Sequence, residues 1–222
     1  MAEVTAQILM TEFVTHDVKR FIVERPKGYA FEPGQATEVS VNLPGWQDKK
    51  SPFTFTSLDE DKVLEFTIKG YFDRDGVTKK LHSLVPGDEL ILRDVWGTIV
   101  YKEPGVFLAG GAGITPFIAI LRRLRNDGRL AGNRLIVSNK TVRDVVLRQE
   151  FEEMLGDDFV LTLTRAEAPG CLYGRVDQAL LGRCVRDFSR AFYVCGPRPF
   201  VKDVKAALKA LGASAESIVV EL

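Results

Sequence analysis

The densest chemical signal in this chain is the run Leu108-Ala109-Gly110-Gly111-Ala112-Gly113-Ile114-Thr115-Pro116. It ends an apolar stretch that reads as a strand and opens an amphipathic helical pattern. Glycines let the backbone approach a bulky anion, and a helix N-terminus offers unpaired N–H groups and the positive end of a dipole. Pro116 costs nothing there, because an N–H at that place has no intrahelical partner. The segment reads as a pyrophosphate-binding turn. A tight glycine turn with no ligand is the plainer alternative, since the spacing is not GxGxxG. Gly76-Val77-Thr78 is a second such place: a glycine turn precedes a short helix that Thr78 can cap and whose N–H groups can face a diphosphate, against an ordinary capped helix. Cys195-Gly196-Pro197 closes another predicted strand, where a buried, inert cysteine is the alternative.

Two rhythms position these segments. Before about residue 102, short β-rich runs at 21–24, 37–43, 53–57, 63–69 and 89–93 alternate with Pro/Gly turns, which indicates an antiparallel barrel or sandwich. One helix, 78–84, interrupts it. After Tyr101, apolar strands at 106–109, 135–137, 159–164, 192–195 and 218–220 alternate with helices, which implies right-handed crossovers and a doubly wound parallel sheet. Ile114, Phe117, Ile118, Leu121 and Leu124 form the apolar stripe of the first of these helices. The boundary falls near 102–105. The expectation is residues 1–102 as an antiparallel β-barrel and 103–222 as an α/β domain with helices on both faces of its sheet.

Composition narrows the function classes. The 222 residues are 45% hydrophobic and 27% charged, with 30 basic residues balancing 30 acidic ones, so no overall field gathers nucleic acid or an anionic membrane. No apolar run approaches a membrane span and the N-terminus lacks a signal-peptide pattern, so a soluble, cytoplasmic protein is expected. Three cysteines without a CxxC pair and two histidines exclude a four-thiolate cluster and leave no expected metal site. The charge is split: 13 Lys+Arg against 16 Asp+Glu in residues 1–102, and 17 against 14 in 103–222, 13 of those 17 being Arg. Arginine's planar fork suits phosphate or carboxylate, so the second half is the expected place for a phosphate-bearing ligand or acidic partner, with solvated helix faces as the alternative.

The segments GGAGITPF, Tyr193-Val194-Cys195-Gly196-Pro197, Ser51-Pro52-Phe53-Thr54 and Gly76-Val77-Thr78 stand in the order found in ferredoxin–NADP reductase-like flavoenzymes, which this chain resembles over nearly its whole length. The resemblance implies a barrel that binds FAD, or alternatively FMN, and an α/β domain that binds NADPH or NADH. It makes Phe53 the ring packed on the flavin and Thr54 the hydroxyl beside flavin N5, with Thr67, Ile68 and Lys69 bordering the flavin and Gly76, Val77 and Thr78 at its diphosphate. Gly111, Gly113 and Thr115 then face the nicotinamide nucleotide, and Cys195 with Gly196 lies on its other flank. Ser138, Lys140 and Arg143 lie where relatives meet the adenosine 2′-group. No acidic residue precedes Asp144 there, which tilts the expectation toward NADPH. Arg175 matches a loop residue of relatives, and Glu221 the family's C-terminal glutamate, although no aromatic follows it.

The chain departs from the pattern at Ser51, where the family has an arginine that neutralises flavin phosphate. A serine supplies no charged clamp, so Lys49 or Lys50 would have to bring the cation. Trp96, before a family-like Gly97, is left between covering adenine and plugging the barrel. The expected function is a reductase passing a hydride from NAD(P)H to FAD and electrons to an external carrier, flavodoxin or ferredoxin, as a monomer. Thr54, Cys195 and Glu221 are its expected catalytic groups. The alternatives are a free-flavin reductase and a non-catalytic flavin- or nucleotide-binding electron-transfer subunit.

Overall fold

In the first half, strands with apolar residues on one face pair edge to edge until the sheet curls on itself. The computed structural model describes residues 3–97 and 99–221. Six antiparallel strands, β1 (Val4–Phe13), β2 (Val18–Glu24), β3 (Ala36–Val41), β4 (Ser51–Thr54), β5 (Val63–Lys69) and β6 (Glu89–Trp96), are ordered β4-β3-β6-β1-β2-β5. The edge strands β4 and β5 approach each other at a bridge between Phe55 and Phe66, which closes the barrel and removes its free edges. Phe21, Phe55, Phe66, Leu64, Val39 and Leu92 fill the interior, with Phe31 stacked on Phe55 at 4.2 Å between centroids.

Strand β1 was not among the expected strands. Only Ala6 and Ile8 are fully buried in it, and a register irregularity between Ile8 and Met10 breaks its alternation, so the period-2 signal is lost. The barrel's helix α1 (Val77–His82) also begins earlier than expected. Gly76 is its N-cap and no side chain caps it, so Thr78 lies inside the helix and not at the cap. The reason is packing: Val77 and Leu81 are buried in the barrel core and set where the helix starts. At its other end the buried Lys19 ammonium donates to the carbonyls of His82 (3.3 Å) and Leu84 (2.7 Å), a favourable place for a cation at a helix C-terminus.

The second half forms a parallel sheet of β7 (Gly105–Gly110), β8 (Arg134–Asn139), β9 (Phe159–Leu163), β10 (Leu172–Tyr173), β11 (Ala191–Cys195) and β12 (Ile218–Glu221). The short β10, paired to β9, adds a sixth strand to the five expected from sequence. Alternation along β7 explains the two helical layers. Phe107 and Ala109 face α2 (Thr115–Asn126) and α3 (Arg148–Leu155), through Phe117, Ile118, Leu121 and Phe151. Val106 and Leu108 face α4 (Gln178–Cys184) and α5 (Arg198–Ala210), through Leu181, Val201, Val204 and Leu208. The strand order is β10-β9-β8-β7-β11-β12. The chain builds outward from β7 in one direction and then returns to its other side, so the order reverses between β7 and β11, and ligands of open α/β sheets bind at such a reversal.

Arg122, on α2, joins the two halves. Its guanidinium donates to the Thr56 carbonyl and Glu65 Oε1 of the barrel, each at 2.8 Å, and to both oxygens of Glu150 on α3 at 2.6 and 2.9 Å. Arg123 pairs with Asp59 and Glu60. These two arginines of the basic second half therefore meet carboxylates of the protein itself. Among the described residues no helix is long and apolar enough to cross a membrane.

Candidate functional site

At the reversal point the sheet and barrel enclose a cleft of about 640 Å³, within the size of small-molecule sites. The α/β side is built by the carboxyl ends of β7 and β11. Residues 111–114 form a 3-10 turn, and α2 starts only at Thr115, one residue later than the apolar stripe suggested. Gly111 has φ +55°, and a Cβ on Gly113 would run into the Cys195 carbonyl, so a side chain at 113 would push the turn away from β11. Thr115 spends its hydroxyl on the Ala112 carbonyl at 3.1 Å. Cys195, paired in register with Ala109 and Glu221, lines the cleft with Gly196 and Pro197.

The barrel contributes Pro52 and Thr54 from β4, Lys69 from the end of β5, and Tyr71. Thr54 is buried, at 9% exposed, and its hydroxyl has no hydrogen-bond partner among the described residues. Lys69 donates to Asp17 at 2.5 Å. Burial works to raise the Asp17 carboxyl, and the hydrogen bond and charge of Lys69 outweigh it, holding it below the usual carboxylate range. Trp96, 44% exposed, borders this cleft and does not enter the barrel core.

The remaining sequence-chosen residues divide. Gly111, Gly113, Thr115, Ser138, Lys140, Cys195 and Gly196 meet Thr54, Pro52 and Lys69 at the main cleft. Ser138 and Lys140 also line a smaller pocket of about 280 Å³ with Arg165, Arg175 and Phe200. Gly76 lines a separate cleft of about 540 Å³ with Trp46, Lys49, Lys79 and Lys80. Phe53 packs against the barrel core, while Ile68 and Val77 are buried in it. Thr67 is buried against the Thr56 hydroxyl at 3.2 Å. Ser51 is half-buried, Thr78 lies within α1, and Lys50 and Arg143 are exposed. None of these nine lines the main cleft. Glu221 enters through its backbone pairing with Cys195.

Sequence reasoning missed Phe200 and Asn139 as lining residues and did not place Asp144 at the cleft. Asp144 closes a capping box in which the Thr141 amide and hydroxyl donate to one carboxylate oxygen at 2.8 and 2.7 Å. The Thr-x-x-Asp spacing carried that signal. Phe200 carried none, because its place depends on how α5 crosses β7 and β11.

Comparison with known proteins agrees with this geometry. Residues 107–206 match the oxidoreductase NAD-binding domain family. The chain is 29% identical to the reductase component of propane 2-monooxygenase from Rhodococcus jostii, over 97% of this chain and 62% of that protein. It is 28% identical to NADH-cytochrome b5 reductase 2 from Mycosarcoma maydis, over 90% of this chain and 63% of the relative. The chain thus spans about three fifths of these relatives' length. A crystal structure of a ferredoxin NADP+ reductase from Neisseria gonorrhoeae with bound FAD and NADP superposes with a TM-score of 0.87 at 22% identity, over 100% of this chain and 98% of that one. Residues 107–206 thus resemble an oxidoreductase NAD-binding domain, and the chain as a whole has the two-domain fold seen in that ferredoxin NADP+ reductase.

Proposed function

We propose that this chain is an NAD(P)H-dependent flavoprotein reductase that hands electrons to a separate carrier protein. One observation carries the reading: the barrel's Thr54 and Lys69 and the α/β domain's Gly111, Gly113, Thr115 and Cys195 line one cleft at the strand-order reversal. A bound flavin would supply the redox chemistry, accepting a hydride from nicotinamide and releasing electrons singly. The residues present fit that group, since the buried Thr54 hydroxyl has no hydrogen-bond partner among the described residues and can serve a ring nitrogen at the cleft wall. Thr115, its hydroxyl already tied to Ala112, and Cys195 hold the turn and the strand end against which a nicotinamide ring would rest. The two domains together align the rings and exclude water.

Ser138, Lys140, Arg165 and Arg175 offer a hydroxyl and three cations to an adenosine 2′-phosphate, which supports NADPH over NADH. Lys140 and the exposed Trp96, both lining the main cleft, suit an acidic electron acceptor of the flavodoxin or ferredoxin kind. The named activities of the relatives, a monooxygenase reductase component and a cytochrome b5 reductase, fit a chain that passes nicotinamide electrons to another protein. Protein purified and desalted without added flavin is expected to show flavin absorption bands that bleach on anaerobic addition of NADPH, and more slowly with NADH. A colourless protein that stays unreactive when FAD is supplied overturns the reading. Turnover only with excess free flavin points to the free-flavin reductase, which Ser51 in place of a cationic clamp would favour.

A further inference from the structure

Among the described residues, one trio of histidine and carboxylate side chains brings its ligand atoms within 4.8 Å of one another: His16, Asp17 and Asp144. His16 and Asp17 belong to the turn between β1 and β2 of the barrel, and Asp144 closes the capping box of the α/β domain at the main cleft. His16 Nε2 stands 3.7 Å from Asp17 Oδ2 and 3.9 Å from Asp144 Oδ1. Both distances exceed a hydrogen bond of about 2.7–3.2 Å. Two atoms bound at about 2.1 Å to one zinc ion, by contrast, can stand up to about 4.2 Å apart. Each ligand is also held by a further bond. His16 Nδ1 lies 3.3 Å from the Arg143 carbonyl, which can only accept, so Nδ1 carries the proton and Nε2 of the neutral ring keeps its lone pair. Asp144 spends Oδ2 on Thr141 and turns Oδ1 toward the imidazole. Asp17 is fixed by the Thr15 hydroxyl on Oδ1 at 3.1 Å and by Lys69 on Oδ2 at 2.5 Å. A carboxylate oxygen has two lone-pair sites, so Lys69 leaves one of them on Oδ2. Outer bonds of this kind orient the ligands of metal sites.

We infer that this trio is a site for a zinc-class divalent ion, shared between the two domains at the edge of the main cleft. One imidazole and two carboxylates suit zinc, with three protein ligands and a fourth position left to water. Magnesium and calcium prefer oxygen-only shells. Two carboxylates against the Lys69 ammonium leave one negative charge in excess, which a divalent ion meets. The ion ties the β1–β2 turn to Asp144 of the α/β domain, as Arg122 ties α2 to the barrel elsewhere. None of the three side chains takes part in the flavin reading, so the site stands independently of it. Spacing along the chain hides the site, because its ligands come from different domains.

Calorimetric titration of the full chain with zinc is expected to show one saturable site. His16→Ala, at a side chain 45% exposed and therefore safe for the fold, should weaken zinc by at least about tenfold, the least that loss of even an outer partner of a metal ligand costs. Asp144→Asn should do the same, and excess magnesium should not compete. Zinc should also raise the melting temperature of the wild type and not that of His16→Ala, because an ion that binds only the folded form stabilises it. Cobalt in place of zinc reports the ligands: nitrogen and oxygen give weak visible bands alone, while thiolate adds an intense near-ultraviolet charge-transfer band. The free cysteines Cys171, Cys184 and Cys195 make that distinction necessary. Zinc affinity unchanged in His16→Ala, a thiolate band at the first equivalent of cobalt, or no saturable binding overturns the proposal.

Discussion

Gly113 carries the tightest steric constraint at the cleft. A methyl group there meets backbone, the Cys195 carbonyl, which cannot rotate away as a side chain would. Gly113→Ala should therefore cost roughly 1–3 kcal/mol, and it should weaken NADPH binding because the turn must draw back from β11. Gly182, inside α4, has no atom near a built Cβ, so Gly182→Ala is expected to be neutral or to stabilise by up to about 1 kcal/mol. Thermal melts and coenzyme titrations on the two variants separate the steric effect from a general intolerance of alanine. At the same scale, the motif residues in the glycine turn and at Cys195-Gly196 converge on the main cleft, whereas Phe53, Ile68 and Val77 serve the barrel interior. Both kinds look alike in sequence, because a strand residue facing a ligand and one facing the core share the same spacing.

The element that joins the domains is α2, through Arg122. Burial alone would raise the Glu150 carboxyl, but its paired hydrogen bonds with Arg122 and that residue's charge outweigh it and hold Glu150 below the usual carboxylate range. The sign follows from linkage. A carboxylate whose folded pKa lies below its unfolded value, about 4.3, stabilises the fold above that value and loses the contribution as pH falls through the folded pKa. The melting temperature of the wild type should exceed that of Glu150→Gln by a constant margin above the unfolded pKa, and the margin should shrink as pH falls below that value and through the lower folded pKa. A margin independent of pH would mean that the carboxylate's charge contributes nothing. The sequence places Arg122, Arg123 and Arg125 mostly off the apolar stripe of Ile114, Phe117, Ile118, Leu121 and Leu124. It could not show that Arg122 faces Glu65, 57 positions earlier, since opposite charges on distant elements leave no local pattern.

At the scale of the whole molecule, one guanidinium of low exposure bridges both domains, so their stabilities are coupled. Removing one member of a buried ion pair typically costs roughly 3–5 kcal/mol, because the partners are left charged and unpaired. Arg122→Met strands Glu150 and leaves Glu65 with Arg20 at 3.9 Å and the Thr56 hydroxyl. It should lower stability by about that amount, and it should split a single calorimetric transition into two as the barrel and the α/β domain come apart. One transition with an unchanged midpoint would show that the apolar contacts between the domains suffice without the pair.

The sequence by itself determined the architecture and the chemistry on offer. Pro/Gly-punctuated short strands, then strand–helix alternation with 3.6-residue periodicity, are local patterns, and local patterns specify fold class. The glycine turn at 110–113 and Cys195-Gly196 are local patterns of the same kind, whereas Thr54 was singled out only by the family resemblance. Tertiary structure decided what depends on register and crossing: the strand-order reversal between β7 and β11, and the packing of the barrel that places Thr54 of β4 at the same cleft as Cys195. It also decided that Gly76, not Thr78, starts α1. The choice between Lys49 and Lys50 as the residue facing the second cleft was made there as well. Each of these turns on which way a side chain points once distant segments are packed, and composition and spacing do not contain that information.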